Sequence, residues 1–192
     1  MQPAKSPVTP SVASAVAAMQ AAFRDVHGRR LHGFALMLTL GDRPLAARLA
    51  DRALTTATRR VHELRHPERA AGWLRAQVLG DAPRVRRAPR PGPAAIRALG
   101  ELGADASVVT ALQVLSTRER AALIATDIER LEQRDVGTII DADGAGLERV
   151  IRQARSRYAY AFAAVAAVAD HEPTINGPLT AKIQAAADRA LR

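Results

Sequence analysis

The chain has 192 residues and a mass of 20.5 kDa, with 48% hydrophobic and 24% charged residues, enough to bury one core or two small ones. Lys and Arg outnumber Asp and Glu by 28 to 19, for a formal charge of +9 and an isoelectric point near 11.3, a balance that points to a polyanionic partner. There is no cysteine, which excludes a disulfide framework, a thiolate zinc site and a Cys nucleophile.

Residues 1–14 carry one Lys and three prolines and lack the continuous apolar core of a signal peptide, so a disordered leader and a cytoplasmic location are expected. Aromatic residues make up 3% of the chain, strand-forming runs are nearly absent, and Ala, Leu and Arg dominate, which predicts an all-α fold. The longest apolar stretch, Tyr158 to Ala169, falls short of the roughly 20 residues that cross a bilayer. It reads as a buried helix, and no membrane partner is expected.

The first helical block is predicted over 15–81. Val16, Met19, Phe23, Val26, Leu31, Phe34 and Leu38 recur at helical spacing from Ala15 to Leu40, interrupted near Gly28. Gly41-Asp42-Arg43-Pro44 is turn chemistry, with Pro44 suited to the first turn of the next helix. That helix, Leu45 to Leu64, aligns Leu45, Leu49, Ala53, Ala57 and Val61. A third, Arg69 to Leu79, centres on Trp73, Leu74 and Val78, with Trp73 read as a core residue. Residues 82–104 open with a stretch lacking acidic residues, in which Pro83, Pro89, Pro91 and Pro93 interleave with Arg84, Arg86, Arg87, Arg90 and Arg97. Prolines cannot continue a helix, and a basic interdomain linker is predicted.

A second small domain is predicted over 105–170, with short helices through Leu112, Leu123, Ile128, Val136, Ile140 and Leu147. A short helix, Arg134 to Ile140, and a longer one from Ala145 flank Asp141-Ala142-Asp143-Gly144, the layout of a helix-turn-helix. Leu147, Val150, Ile151, Ala154 and Tyr158 then face inward, leaving Glu148, Arg149, Arg152, Gln153, Arg155 and Ser156 outward. Arg and Gln on that face suit phosphates and base edges, or simply solvate the helix, and spacing alone leaves both readings open. Pro173, Asn176-Gly177 and Pro178 separate a tail, 171–192, whose Leu179, Ile183, Ala187 and Leu191 share one helical face and are expected to dock on the chain itself.

No enzyme chemistry is expected. His27, His32, His62, His66 and His171 form no metal-binding pattern, and Lys5 and Lys182 lie in no glycine-rich phosphate loop. Asp141 and Asp143 lack the other ligands of a calcium loop. Neither a metal nor a cofactor is expected.

Taken in order, Leu31-His32-Gly33-Phe34 to Gly41-Asp42, Gly72-Trp73-Leu74-Arg75 running into Arg84 and Arg86-Arg87, Leu115-Ser116-Thr117-Arg118-Glu119-Arg120, and Asp135-Val136-Gly137 through Ala154-Arg155 form a set. It resembles the extracytoplasmic-function sigma factors of the sigma-70 family, with their second and fourth regions. The resemblance implies that core RNA polymerase binds around Arg48, Leu49, Asp51 and Arg52. It also implies that Arg84, Arg86, Arg87 and Arg90 meet the promoter minus-10 side, and that Arg149, Arg152, Gln153 and Arg155 read the minus-35 element. An anti-sigma factor is a further possible partner. The chain departs from the family where acidic residues of the polymerase-binding helix become Arg48 and Arg52, and where Ser116 replaces a Pro. Those departures, with Asp141, Asp143 and Glu148 near the expected phosphates, favour an alternative: a sigma-like interaction module that binds a regulator without reading promoters.

Overall fold

The structure is a computed structural model that describes residues 12–60, 67–85, 88 and 90–168. Among these the fold is all-α, with eight α-helices and no strand. No helix in them is long and apolar enough to cross a membrane. Residues 1–11 of the expected leader, Arg86, Arg87 and the tail 171–192 lie outside the described residues.

Helix α1 (Val12–Leu38) begins inside the expected leader and passes through Gly28 without the expected interruption. Gly28 faces α2, where a Cβ would meet Leu54 Cδ1 at 3.8 Å. After the turn, α2 (Arg43–Arg59) starts as its sequence predicts, with Asp42 accepting from Leu45 N at 2.9 Å and Pro44 in the first turn. The two helices run antiparallel, and Gln20 and Arg24 of α1 hydrogen-bond Thr58 and Thr55 near the end of α2. Val16 and Met19, expected in the core, are each 41% exposed. Val26, expected there too, is also exposed.

Helix α3 (Ala70–Asp81) buries Ala70, Leu74 and Val78 on one stripe. The expected linker is not continuous irregular chain: α4 (Pro93–Glu101) lies within it. Pro93 occupies the first turn, where no N–H is needed, and Ala98 and Leu99 are buried. Asp105 then caps α5 (Ala106–Gln113), accepting from Val108 N at 2.9 Å.

Ser116 caps α6 (Thr117–Leu123) in a capping box, its N–H donating to Glu119 Oε2 at 2.8 Å. A proline at this position could not donate that bond. Arg157 also donates to Glu119. Burial opposes ionisation of Glu119, but the Ser116 N–H and hydroxyl together with Arg157 outweigh it and hold the carboxyl below its ordinary value. A π-helical turn, Ile124–Ile128, leads to α7 (Gln133–Ile140) and α8 (Gly144–Val168). The alanine-rich end of α8 is not buried all round as expected. Tyr158 is buried, whereas Tyr160 is 81% exposed, because only one face of α8 rests on α5 and α6.

Buried residues from both sides of 82–104, among them Phe34 and Leu74 on one side and Leu115, Ile124 and Val136 on the other, join in one cluster. At the junction Arg75 of α3 forks onto Glu129, with Nη2 to Oε1 at 2.6 Å and Nε to Oε2. Arg120 of α6, 2% exposed, donates to Leu38 O at 2.8 Å and Leu115 O at 3.2 Å. Gly72 of α3 meets Asp135 of α7 so closely that a Cβ would lie 3.0 Å from Asp135 Cβ and 3.1 Å from Oδ1.

Replacing Gly72 with Ala forces that contact apart and is expected to cost about 1–3 kcal/mol in urea unfolding. By contrast, Gly33→Ala, inside α1 with nothing within 4 Å of the new methyl, gains about 0.5–1 kcal/mol. The lowered pKa of Glu119 makes its contribution to stability complete above the ordinary value of 4.5 and lost as pH falls through the folded value. Urea midpoints measured from about pH 6 down to about pH 3 should therefore fall more steeply for the wild type than for Glu119→Gln.

Candidate nucleic-acid interface

The candidate interface is built on the turn between α7 and α8. Asp141 closes α7 in the left-handed region at φ 51°, and Ala142 N returns to Gly137 O at 3.1 Å. A side chain at Gly137 would collide with the turn, because its Cβ would fall 2.7 Å from Ala142 O. Arg118 of α6 donates to Ile140 O at 2.9 Å and Asp141 O at 3.0 Å, placing a cation on the carbonyls that end α7. Leu147, Ala154 and Tyr158 are buried beneath α8, which fixes its rotation.

That rotation exposes Glu148, Arg149, Arg152, Gln153, Arg155 and Ser156, the set that the spacing predicts. Arg149, Arg152 and Gln153 have no hydrogen-bond or ion-pair partner among the described residues. Arg155 differs from them. It forks onto Asp127, with Nε to Oδ2 at 3.0 Å, and those hydrogen bonds raise its pKa above the ordinary value. Its guanidinium is thus occupied at home.

A shallow groove between the two helices is lined by Gln133, Arg134 and Thr138 of α7, by Asp141 and Asp143 of the turn and by Gly144 at the start of α8. The α7 residues are missing from the sequence-derived set because they precede the turn, and only the packing of α7 beside α8 brings them to the same face. Arg134 pairs with Glu132 at 2.8 Å, and Asp141 and Asp143 are exposed, so the groove is electrostatically mixed. The positive field of this face comes from α8.

The other predicted residues lie elsewhere. Arg84 and Arg90 are exposed on the segment after α3, which is tied to the second block: Thr117 Oγ1 donates to Pro83 O at 2.9 Å, and Gln113 Nε2 to Ala88 O at 3.1 Å. On α2, Arg48 and Asp51 are exposed and Arg52 pairs with Asp81 at 3.2 Å. Leu49, expected with them on a polymerase-facing surface, is 5% exposed and belongs to the core, as its place on the apolar stripe of α2 requires. Trp73 is half-buried against the core. Among the described residues no group of three His, Cys, Asp or Glu gathers as a metal site.

No protein family, curated protein or solved structure matches this chain.

The two kinds of arginine on α8 give a measurable distinction. Removing one phosphate-binding cation reduces the slope of log affinity against log salt by about 0.9, so Arg149→Ala with Arg152→Ala should reduce it by about 2 on duplex DNA and abolish any sequence preference. Arg155→Ala should change the slope by less than half as much. Fluorescence anisotropy from about 50 to about 200 mM salt separates the cases.

Proposed function

We propose that this chain is a diverged, sigma-like transcription-initiation protein of the cytoplasm that binds core RNA polymerase and promoter DNA without enzymatic activity. The observation that carries this reading is the exposed trio Arg149, Arg152 and Gln153, without a hydrogen-bond or ion-pair partner among the described residues, in the first half of a helix set by a tight turn. Guanidinium and carboxamide groups make the bidentate contacts that distinguish base edges in a major groove. The ordered resemblance to sigma regions two and four supplies the partner, and the charge of +9 agrees with a polyanionic one.

A second reading is favoured by specific observations. Arg155 is committed to Asp127, Asp141 and Asp143 are exposed in the turn, and Arg48 and Arg52 stand where the resembled family is acidic. On this reading the chain is a sigma mimic that engages an anti-sigma factor or another regulator and reads no promoter.

Incubating the 192-residue protein with purified core RNA polymerase, recovering the complex and testing it for promoter opening decides between them. Co-recovery with strand opening is expected. A protein that neither binds polymerase nor opens DNA would overturn the promoter reading in favour of the mimic.

A further inference from the structure

Charge is sorted along the length of α8. Asp141, Asp143 and Glu148 are exposed at its N-terminal end, whereas from Arg149 to Val168 the helix carries no acidic residue. A polyanion laid on this helix is repelled at the turn and attracted beyond it. The arginines of that stretch divide by partner. Arg155 and Arg157 are held by Asp127 and Glu119, while Arg149 and Arg152 have no hydrogen-bond or ion-pair partner among the described residues.

Arg149, Gln153, Ser156 and Tyr160 follow one another at intervals of four, three and four, which places them on one stripe of the outward face. All four are exposed, and the hydroxyls of Ser156 and Tyr160 have no hydrogen-bond partner among the described residues. Tyr158, two positions earlier, is buried and stacks on Phe162, so Tyr160 is not the ring that this end of α8 uses for packing. The stripe rises about 16 Å from Arg149 to Tyr160 at 1.5 Å per residue. A major groove is about 12 Å wide, so a helix with Arg149 and Gln153 between the strands brings Ser156 and Tyr160 to the phosphates at the groove edge. Helical side chains tilt toward the N-terminus, which carries one at position 160 back over the turn that holds Ser156.

We propose that duplex DNA lies on α8 displaced away from the turn, centred near Gln153, with Ser156 and Tyr160 donating their hydroxyls to backbone phosphates. The inference rests on the promoter reading above and deepens it by fixing where along the helix the duplex sits. Arg149, Arg152 and Gln153 then face the bases, and the two neutral hydroxyls set the register without reading sequence. This placement also keeps the phosphates clear of Asp141 and Asp143.

The probe is a fluorescein-labelled duplex of about 30 base pairs and random sequence, read by anisotropy from about 50 to about 200 mM salt. Tyr160→Phe removes the hydroxyl and keeps the ring, and it should weaken binding about three- to tenfold, as loss of one hydrogen bond does. Ser156→Ala should act in the same direction. In both variants the slope of log affinity against log salt should stay at the wild-type value, because neither hydroxyl displaces a counterion. The urea midpoint of Tyr160→Phe should match the wild type, since the side chain is exposed. Wild-type affinity in Tyr160→Phe and Ser156→Ala, while Arg149→Ala with Arg152→Ala still lowers the slope by about 2, overturns the distal contact and leaves the promoter reading standing. Affinity and slope unmoved in every variant, or wild-type protein that leaves the duplex unbound at about 50 mM salt both alone and with core polymerase, overturns both.

Discussion

A guanidinium withdrawn from water without a carboxylate is the constraint around which the two halves of this chain are arranged. Arg120 is 2% exposed, and burial alone lowers its pKa to about 10. The charge survives because its Nη atoms reach the carbonyls of Leu38 and Leu115, while Nε has no partner among the described residues. Leu38 ends α1, so the cation sits where the aligned dipoles of a 27-residue helix leave negative charge. Moving α6 away from α1 would strand that charge or require water to enter, so the position of one block is specified by the end of the other.

The candidate interface inherits its geometry from this arrangement. Helix α6 carries Arg120 on one side and Arg118 on another, and Arg118 holds the last carbonyls of α7. Helix α7 packs on α3, α6 and α8. The turn that aims α8 is therefore braced by the same short helix that anchors the junction. Which arginines remain available follows from local partners: Asp127 occupies Arg155 and Glu119 occupies Arg157, leaving Arg149 and Arg152 outward. Net charge alone would count all four as equivalent.

Much of the local structure was legible in the sequence. Low β-branched and aromatic content predicts an all-α chain, and apolar spacing places the helices on either side of Asp141 to within one residue of where they lie. The outward set on α8 is correct because its rotation depends only on Leu147, Ala154 and Tyr158 beneath it. What spacing could not reveal is long-range pairing. Arg75 and Glu129 are 54 positions apart and Arg120 and Leu38 are 82, and no local pattern marks them as partners. The proline count of 82–104 concealed α4, because Pro93 starts a helix as readily as it breaks one. Leu49 went astray for another reason: the resemblance put it on a surface while its own periodicity put it in the core.

The attachment of Pro83, Val85 and Ala88 to the second block changes what that segment can do as a tether. With Pro83 and Val85 bonded to Thr117, the chain between Asp81 at the end of α3 and its anchorage on α6 shrinks to Ala82, whose own N–H still bonds the last turn of α3. A slack tether lets two modules diffuse apart and pays a loop-closure entropy each time they meet again, and that cost grows with its length. Here α3 is held beside α7 at the high effective concentration of a short leash, so modest contacts suffice to keep them together. Any separation at this end is a swing about one residue, and only release of Thr117 would give the blocks an independent reach.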